Sequence, residues 1–440
     1  MKKKIWGTLL CAAMAANLLG GCAGAGAEKT SAESPADQKQ EAASSQDTEP
    51  AGETGKKVKI RMTYWNSEDT VEELLKYLAE AVPEAEIEYQ FIDNSNYDTI
   101  VDTQLSAGEG PDIICESSGL ALKHARLGYL VPLNELGEQF LPSGVSVYTY
   151  NGDIYALPGT SWFEGIFYNK EIFAEHNIQL PTTFDEYISM CKQFQELGIT
   201  PLAAGLKKGG PLMKNSMAFV TADYLSKDAG KNFGEEYREG KTTLAGSWDP
   251  YMEKWSEMIT EGVYTQDMTG IDKDQALEQF AVGDAAMFCS GPWDLDTIMS
   301  KNPDLQIDMM PFHGSEADAG WLVGGPGCGF AANAASPNLE VVMKVLDAIA
   351  SPEGQKAFWE NNQGGSSYLK GVTFDLPDAY NSVADTLAAG NVYCPWDAWG
   401  VAASAHKVFE TEMQSYFIGA QDLHTTLANV DQVVKELLEK

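Results

Sequence analysis

Tryptophans in loops, beside amide and carboxylate side chains, are the residues of this chain best suited to ligand chemistry. An indole offers a flat apolar face, and neighbouring Asn, Asp and Glu side chains offer hydrogen bonds. A sugar ring presents C–H faces above and below and hydroxyls around its edge, so this combination suits a carbohydrate. The tryptophans in or beside predicted loops are Trp65, Trp162, Trp293, Trp321, Trp396 and Trp399.

Acidic residues near these tryptophans leave two other chemistries open. A glycoside hydrolase needs two carboxylates flanking the scissile bond, and Glu116 and Glu164 could form such a pair. A polyamine needs an acidic aromatic box, which Glu116, Asp294 and Asp397 could form with several tryptophans. Anionic ligands are disfavoured, because the candidate pocket positions hold almost no Arg or Lys.

Motifs for catalysis, metal binding and phosphate binding are missing from the sequence. The histidines are isolated, with no H-E-x-x-H, and neither a G-x-S-x-G elbow nor a phosphate loop occurs. The glycine-rich residues 324–329 contain a proline and precede no clear helix, so we interpret them as a hinge or rim segment. Asp272 and Asp274 are interpreted as solvated acids. We therefore predict no catalytic residue, no metal and no cofactor.

The amino terminus has the pattern of a bacterial lipoprotein signal peptide. Residues 2–4 are basic, residues 5–19 are apolar, and Leu19-Gly20-Gly21-Cys22 has the form of a lipobox. Cys22 is predicted to carry the lipid and to anchor the protein to the extracytoplasmic face of the cell membrane. Residues 23–55 contain almost no large apolar side chain, which predicts a disordered tether.

The chain is strongly acidic, and this excludes polyanionic partners. It carries a formal net charge of -34 at pH 7. Nucleic acid and anionic lipid head groups would be repelled by such a chain. Membrane contact is therefore expected from the lipid alone. The scattered cysteines show no C-x-x-C spacing, which favours free thiols and leaves one disulfide open.

Alternating strand and helix patterns indicate where the ligand residues are positioned. Residues 58–64 alternate apolar and polar side chains, and a β-α-β-α-β pattern continues to residues 113–115. This pattern predicts a parallel sheet with helices on both faces. In such sheets ligands bind outside the carboxyl ends of the strands. The residues just past those ends are Trp65, Asn66, Glu116, Ser117 and Ser118.

A second unit is predicted to begin near Phe167. Thr183 and Glu186 have the spacing of a capping box, followed by an apolar-periodic helix that ends at Gly198. Residues 285–289 read as a buried strand that leads into a turn before Trp293. The length remaining after the predicted signal peptide exceeds what one core usually serves, so two lobes are expected.

Six short motifs follow one another along the chain in a recognisable order. They are Leu105-Ser106-Ala107-Gly108 before Gly110-Pro111-Asp112, Tyr155-Ala156-Leu157-Pro158, Tyr168-Asn169-Lys170, Leu180-Pro181-Thr182-Thr183, Gly283-Asp284-Ala285-Ala286-Met287 with Gly291-Pro292-Trp293, and Ser351-Pro352-Glu353-Gly354. In this order they resemble the extracellular solute-binding proteins of sugar ABC transporters, the group that includes maltose-binding protein. The resemblance extends from about residue 56 to the carboxyl terminus.

This resemblance implies an α/β fold of the two-lobed, periplasmic-binding-protein-like type II class. Each lobe is expected to be a mainly parallel sheet flanked by helices, with a hinge between the lobes. Residues 57–165 plus 323–365 would form the N-terminal lobe, and residues 166–322 plus 366–440 the C-terminal lobe. Residues 1–21 would be the signal peptide, and residues 22–56 the lipidated Cys and tether. The implied function is to capture a mono- or oligosaccharide and to deliver it to an ABC permease. The protein is expected to be a monomer.

The resemblance also implies roles for individual residues. Trp293 matches a stacking tryptophan, and Trp399 lies where another stacking aromatic is expected. Glu116 falls where the family often places a ligand-contacting aromatic, and Trp162 where it places a polar residue, so maltose as the substrate does not transfer. Asn66, Glu68 and Asp69 match the polar loop after the first strand. The full predicted ligand set is Trp65, Asn66, Glu68, Asp69, Glu116, Ser117, Trp162, Glu164, Trp293, Asp294, Trp321, Trp396 and Trp399.

Overall fold

The computed structural model describes residues 57–94, 96–361, 365–399 and 402–439. The predicted signal peptide, the lipidated Cys22 and the tether of residues 22–56 lie outside the described residues. None of the helices in the described ranges has the length and hydropathy that a membrane-spanning segment needs.

The strands build two main sheets and one small hairpin. In chain order they are β1 (Val58–Tyr64), β2 (Ala85–Phe91), β3 (Ile113–Glu116), β4 (Thr149–Tyr150), β5 (Asp153–Ile154), β6 (Leu157–Pro158), β7 (Ser161–Asn169), β8 (Thr200–Ala203), β9 (Ala285–Ser290), β10 (Ile307–Met310), β11 (Leu322–Pro326), β12 (Gly329–Ala332) and β13 (Val392–Tyr393). The N-terminal lobe contains the sheet β2-β1-β3-β12-β6. The C-terminal lobe contains the sheet β13-β11-β7-β9-β8, in which β10 also pairs with β7.

Helices surround both sheets. In chain order they are α1 (Glu72–Ala81), α2 (Tyr97–Ser106), α3 (Ser118–Arg126), α4 (Asn134–Gly137), α5 (Pro142–Val145), α6 (Lys170–Glu175), α7 (Phe184–Glu196), α8 (Gly210–Val220), α9 (Phe233–Arg238), α10 (Leu244–Ser247), α11 (Asp249–Trp255), α12 (Glu257–Thr260), α13 (Lys273–Ala281), α14 (Leu295–Lys301), α15 (Leu339–Ile349), α16 (Pro352–Glu360), α17 (Ala384–Ala388), α18 (Ala402–Phe417) and α19 (Leu423–Leu438). Short 3-10 turns, among them Pro292–Asp294 and Pro395–Trp399, connect some of these elements.

Each of the two main sheets is mainly parallel, as expected, and one of its described strands runs against the others. β1 pairs in parallel with β2 and β3, but β12 pairs antiparallel with β3 and β6. In the second sheet β7 runs antiparallel to β9, β10 and β11. β7 and β12 each follow a crossing from the other lobe. They therefore enter their sheets from the side of the hinge and run against the strands that end there.

The β-α-β-α-β pattern predicted for the first lobe is confirmed, and its sheet is covered on both faces. Leu74 and Leu78 of α1 pack with Met62 of β1 on one face. Val101 of α2 packs with Ile114 of β3 on the other face. Each of these side chains is buried, which stabilises the fold by roughly 1.5–3 kcal/mol apiece.

The helix caps in the second lobe differ in two ways from those predicted from the sequence. Thr183 Oγ1 accepts the N–H of Glu186 at 3.2 Å, as predicted. The Glu186 carboxylate, however, accepts from the N–H and hydroxyl of Thr182, one residue before the expected partner. A complete capping box forms at α13, between Asp272 and Gln275. Asp272 is thus a helix cap, and this corrects its interpretation as merely a solvated acid.

The chain passes between the lobes at positions slightly different from those predicted. β6 ends and β7 begins in different sheets, so the first crossing is residues 159–160. β11 and β12 place the second crossing at residues 327–328. The third crossing lies between residues 369 and 382. Leu369 still forms a backbone bridge with Phe140 of the N-terminal lobe, whereas the Ser382 hydroxyl bonds the hydroxyl of Tyr168 in the C-terminal lobe. The predicted positions 165, 323 and 365 differ because β7 and β11 belong wholly to the second sheet.

The first two crossings lie side by side and form the hinge. Gly327 N–H donates to the carbonyl of Thr160 at 3.1 Å, and Gly159 N–H donates to the carbonyl of Cys328 at 2.9 Å. A Cβ on Gly327 would lie 2.6 Å from the Thr160 carbonyl oxygen, so this approach requires glycine. The prediction that residues 324–329 form a hinge or rim segment agrees with this arrangement.

Candidate functional site

A cleft of about 1720 Å³ lies between the two lobes. Residues that follow the carboxyl ends of β1, β3 and β9 line it, as expected for ligand sites of α/β sheets. Small-molecule sites usually measure about 300–1,000 Å³. The cleft therefore has room for a ligand of several rings.

Three tryptophans form a cluster on the wall of the C-terminal lobe. The ring centre of Trp162, on β7, lies 6.2 Å from that of Trp293 and 6.3 Å from that of Trp396. The rings of Trp162 and Trp396 are stacked, with 28° between their planes. Trp293 is 46% exposed, so its indole can offer a face to a ligand. We call these three residues the tryptophan cluster.

Trp65 lines the cleft from the N-terminal lobe. Its ring makes edge contacts with Tyr64 and Tyr97, at centroid distances of 4.8 and 5.3 Å. The adjacent Asn66 donates from Nδ2 to the Tyr64 hydroxyl at 3.3 Å, and its carbonyl accepts from the Tyr89 hydroxyl at 2.6 Å. Indoles held by neighbouring aromatic rings therefore line both walls of the cleft.

A hydrogen bond between Ser118 and Asp397 joins the lobes across the cleft. Ser118 Oγ, in α3, donates to Oδ1 of Asp397 at 2.9 Å. Burial raises the pKa of the Asp397 carboxyl to about 6, although hydrogen bonds from Ser118 and Cys394 lower it in part. The carboxyl therefore titrates much closer to neutral pH than an ordinary aspartate.

The structure brings together more than half of the predicted ligand residues. They arrive from both lobes and from strand ends that are distant in sequence. The predicted residues that line the cleft are Trp65, Asn66, Asp69, Ser117, Trp162, Trp293 and Trp396.

The family follows from a comparison with known protein families. The model described as a bacterial extracellular solute-binding protein matches residues 64–356. This match covers most of the chain and includes both crossings of the hinge. The chain belongs to the bacterial extracellular solute-binding proteins.

Several known proteins are similar to this chain in sequence or in structure. The chain is 21% identical to the multiple sugar-binding protein of Streptococcus mutans over 331 residues, which cover 73% of this chain and 78% of the relative. The apo-form structure of RafE from Streptococcus pneumoniae aligns with a TM-score of 0.72 at 19% identity, covering 87% of this chain and 99% of that one. A sugar transporter structure from Bacillus licheniformis, in complex with stachyose, aligns with a TM-score of 0.68 at 17% identity, covering 86% and 100%. These structures confirm the two-lobed α/β fold.

Glu116 lies behind the cleft wall of this solute-binding protein, which corrects its prediction as a ligand residue. It is fully buried, and its Oε1 lies 2.7 Å from Nδ1 of His124, whose Nε2 lies 2.8 Å from Oδ1 of Asp102. Burial raises the pKa of Glu116. Burial alone would lower the pKa of His124, but the carboxylates of Glu116 and Asp102 raise it overall. Helix α3 thus supplies a buried partner for the last side chain of β3.

Two other predicted acids, Glu164 and Asp294, are engaged by lysines and do not line the main cleft. Glu164 accepts from Lys214 Nζ at 2.6 Å. Asp294 is 6% exposed and accepts from Lys273 Nζ at 2.8 Å and from the Ser290 hydroxyl. Glu164 lies on the central strand β7 and Asp294 in the turn after β9, and a lysine from α8 or α13 reaches each of them.

Trp399 packs in the core of the C-terminal lobe, and this corrects its prediction as a stacking residue. It is 1% exposed, and its ring centre lies 5.1 Å from that of Tyr237, 5.8 Å from Trp248 and 6.2 Å from Phe409. Trp396 belongs to the same 3-10 turn but lines the cleft. Both tryptophans of this turn are largely buried, and of the two only Trp396 also lines the cleft.

The structure also places Trp321 and Glu68 outside the cleft wall. Trp321 forms a backbone bridge with Phe312 near the start of β11. Glu68 is an exposed residue at the start of the turn after β1, whereas Asp69 beside it lines the cleft. The predicted polar loop after the first strand thus contributes only part of its residues.

Sequence reasoning missed polar residues that α18 and the loop after β8 bring to the cleft. They are His406, Lys407, Glu410, Lys207 and Lys208. The three lysines correct the statement that the pocket positions hold almost no Lys or Arg. Polar residues on one side of a helix usually indicate a solvent-exposed face. The sequence alone does not distinguish a polar helix face in contact with bulk solvent from one that lines a cleft.

His406 extends the aromatic wall rather than adding a charge. Its ring lies 5.1 Å from that of Trp396 in an edge contact. Burial lowers the pKa of His406 to about 4, so the imidazole is neutral near pH 7. Among the described residues, no group of His, Cys, Asp or Glu is arranged to hold a metal ion, and Cys115, Cys191, Cys289, Cys328 and Cys394 are free thiols.

Proposed function

We propose that this protein captures an oligosaccharide between its lobes and delivers it to the permease of an ABC importer. The observation that carries the proposal is the tryptophan cluster, with Trp293 half exposed in a cleft whose other lining residues are largely polar. Indoles stack on the C–H faces of sugar rings, and polar side chains bond the hydroxyls. The names of relatives support it: a multiple sugar-binding protein, and solved complexes with raffinose and stachyose.

Capture is expected to proceed by closure of the lobes around the ligand. A sugar that contacts Trp65 on one lobe and Trp293 on the other makes its full set of contacts only when the lobes are close. Such a ligand shifts the population toward the closed form. The bond between Ser118 and Asp397 adds a protein contact in the same direction.

Binding accounts for the cleft better than hydrolysis does. Glu116 and Glu164 are the hydrolytic pair considered from the sequence, and neither lines the main cleft. Glu116 is held by His124 and Glu164 by Lys214. We therefore infer a binding protein rather than an enzyme.

A polyamine is disfavoured as the ligand. Glu116 and Asp294, two acids of the predicted aromatic box, are buried and paired. A neutral sugar should bind with little dependence on salt, whereas a polyamine would bind more weakly as salt increases.

We further propose that the mature protein is a monomer anchored to the membrane by a lipid on Cys22. The residues between this anchor and the folded body would keep the lobes near the permease and raise their effective concentration there. Membrane fractionation of wild-type and Cys22→Ala protein in the native host tests the anchor. Equal distribution of the two proteins between membrane and medium would refute it.

Calorimetric titration with mono- and oligosaccharides tests the sugar-binding function. Trp293→Ala should weaken binding by about 1–3 kcal/mol, or roughly 5- to 150-fold, because a stacking surface is lost. Trp321→Ala is the matched control, since it removes an indole that lies outside the cleft wall. No heat with any sugar of the panel, or equal affinity for all three proteins, would count against the proposal.

A further inference from the structure

A second cavity of about 570 Å³ lies within the C-terminal lobe beside the cleft. It is lined by the carboxyl end of β8, the start of α8 and the end of β9. Lys207, Lys208, Trp293 and Glu410 line both this cavity and the main cleft, so the two spaces meet at these residues. We call this cavity the side chamber. Its size falls within the range of small-molecule sites.

The charged groups of the side chamber balance. Four lysines and four carboxylates line it, although the whole chain carries a net charge of -34. Lys214 Nζ lies 2.6 Å from Glu164 Oε2, and Lys207 Nζ lies 3.9 Å from Asp272 Oδ2. A wall of equal charges favours neither a cation nor an anion. It offers hydrogen-bond donors and acceptors together, which suits a neutral ligand with many hydroxyls.

The remaining wall is apolar and aromatic. Leu202, Ala203, Phe288 and Tyr264 line it together with Trp293. Lys214 Nζ lies 5.8 Å from the ring centre of Trp293. An aromatic partition between two polar spaces can contact the apolar face of a sugar ring.

Tyr264 provides a second, independent observation. The residue is 1% exposed, and within the described part of the chain its hydroxyl has no hydrogen-bond partner. A buried hydroxyl without a partner destabilises the folded protein, unless a group from outside the chain satisfies it. The Tyr264 hydroxyl is covered in this structure, so a sugar hydroxyl in the side chamber bonds it once the covering side chains move apart.

We propose that the side chamber binds one further neutral, hydroxylated ring of the oligosaccharide, beyond the part held in the main cleft. Trp293 stands between the two parts of the ligand. This inference rests on the proposed sugar-binding function and sharpens it. The ligand must be long or branched enough to pass Trp293, so affinity should rise with chain length until a ring enters the chamber.

Two substitutions test the chamber. A Cβ on Gly210 would meet only the Glu410 side chain, at 3.5 Å or more, so Gly210→Phe adds a ring at the boundary with the main cleft. Tyr264→Phe removes only the hydroxyl that has no partner. Tyr380→Phe is the matched control, because the Tyr380 hydroxyl is also buried without a partner among the described residues but lines neither space.

Titration calorimetry with a series of one to five sugar units measures the effect. We expect Gly210→Phe to weaken binding of the longest sugars roughly tenfold or more, and Tyr264→Phe to weaken it roughly 2- to 10-fold. Binding of the shortest sugars should stay within about twofold for both, and Tyr380→Phe should match wild type throughout.

The same titrations distinguish a failure of the side chamber from a failure of the proposed function. Wild-type binding of sugars, with both chamber variants unchanged at every length or weakened equally at every length, overturns the side chamber and leaves the proposed function intact. If the wild-type protein binds no sugar, the proposed function falls and the side chamber with it. If Gly210→Phe does not fold, Tyr264→Phe decides, because it removes no hydrogen bond within the described chain.

Discussion

Replacing Asp397 by Asn should remove a pH dependence of stability that the wild-type protein carries. Burial raises the pKa of this carboxyl from 3.8 to about 6. The folded protein therefore keeps a proton that the unfolded chain releases at lower pH. The stability contributed by the neutral carboxyl is fully present below the unfolded pKa and is lost as the pH rises through the folded pKa. Asparagine keeps the acceptor for Ser118 but does not titrate.

The size of the effect follows from the change in pKa. A tenfold change in proton affinity corresponds to about 1.4 kcal/mol, so the change from 3.8 to about 6 sets an upper value of about 3 kcal/mol. Asp397 also lines the cleft, where water reduces the effect. We expect Asp397→Asn to equal the wild type below about pH 4 and to be more stable by about 1–3 kcal/mol above about pH 7.

Urea unfolding followed by tryptophan fluorescence, at intervals between about pH 4 and pH 8, measures this difference. Asp296→Asn is the control, because Asp296 lines the same cleft but is exposed. This control reports the effect of removing a carboxyl from the cleft wall as such. A constant difference between Asp397→Asn and wild type at all pH values would refute the reasoning from burial.

Three further predictions concern residues outside the cleft wall. His124→Ala should lower the free energy of unfolding by about 3–5 kcal/mol, because Glu116 is left buried without its partner. Adding Glu116→Gln should recover part of this loss in urea titrations, and no recovery would contradict the buried pair. Trp399→Ala should cost about 3–5 kcal/mol through a core cavity, while calorimetry shows sugar affinity within about twofold of wild type. A large loss of affinity in the folded variant would restore Trp399 to the site. Asp272→Ala should lower the free energy of unfolding by about 1 kcal/mol through the lost cap of α13, and an unchanged melting temperature would contradict this role.

The elements of the N-terminal lobe could be predicted because their signals are local. Residues 58–64 alternate along one strand, and the apolar residues of α1 recur at helical spacing. The carboxyl ends of β1 and, in the C-terminal lobe, of β9 can therefore be located from the sequence, and with them the positions of Trp65 and Trp293. The directions of β7 and β12 depend on the path between lobes, which no local pattern contains.

The fate of individual side chains at the site could be predicted only in part. Trp396 and Trp399 share one short turn and the same kind of neighbours in sequence, so only the packing of α9 and α18 separates the cleft residue from the core residue. Glu116 ends a strand at the cleft, yet His124 on the following helix draws it into the interior. Both outcomes depend on contacts made after the lobes assemble.

The path of the chain through the hinge also bears on how the protein reaches its folded state. β3, at residues 113–116, pairs with β12, at residues 329–332, and the larger part of the C-terminal lobe lies between them in sequence. The first sheet therefore cannot be completed until most of the chain is available. Pairing across such a long loop forms slowly, and the edge of β3 stays open meanwhile. The arrangement that lets two lobes share one hinge thus makes the N-terminal lobe depend on the synthesis of its neighbour, and it makes the interval before β12 arrives the period of greatest risk for misassembly.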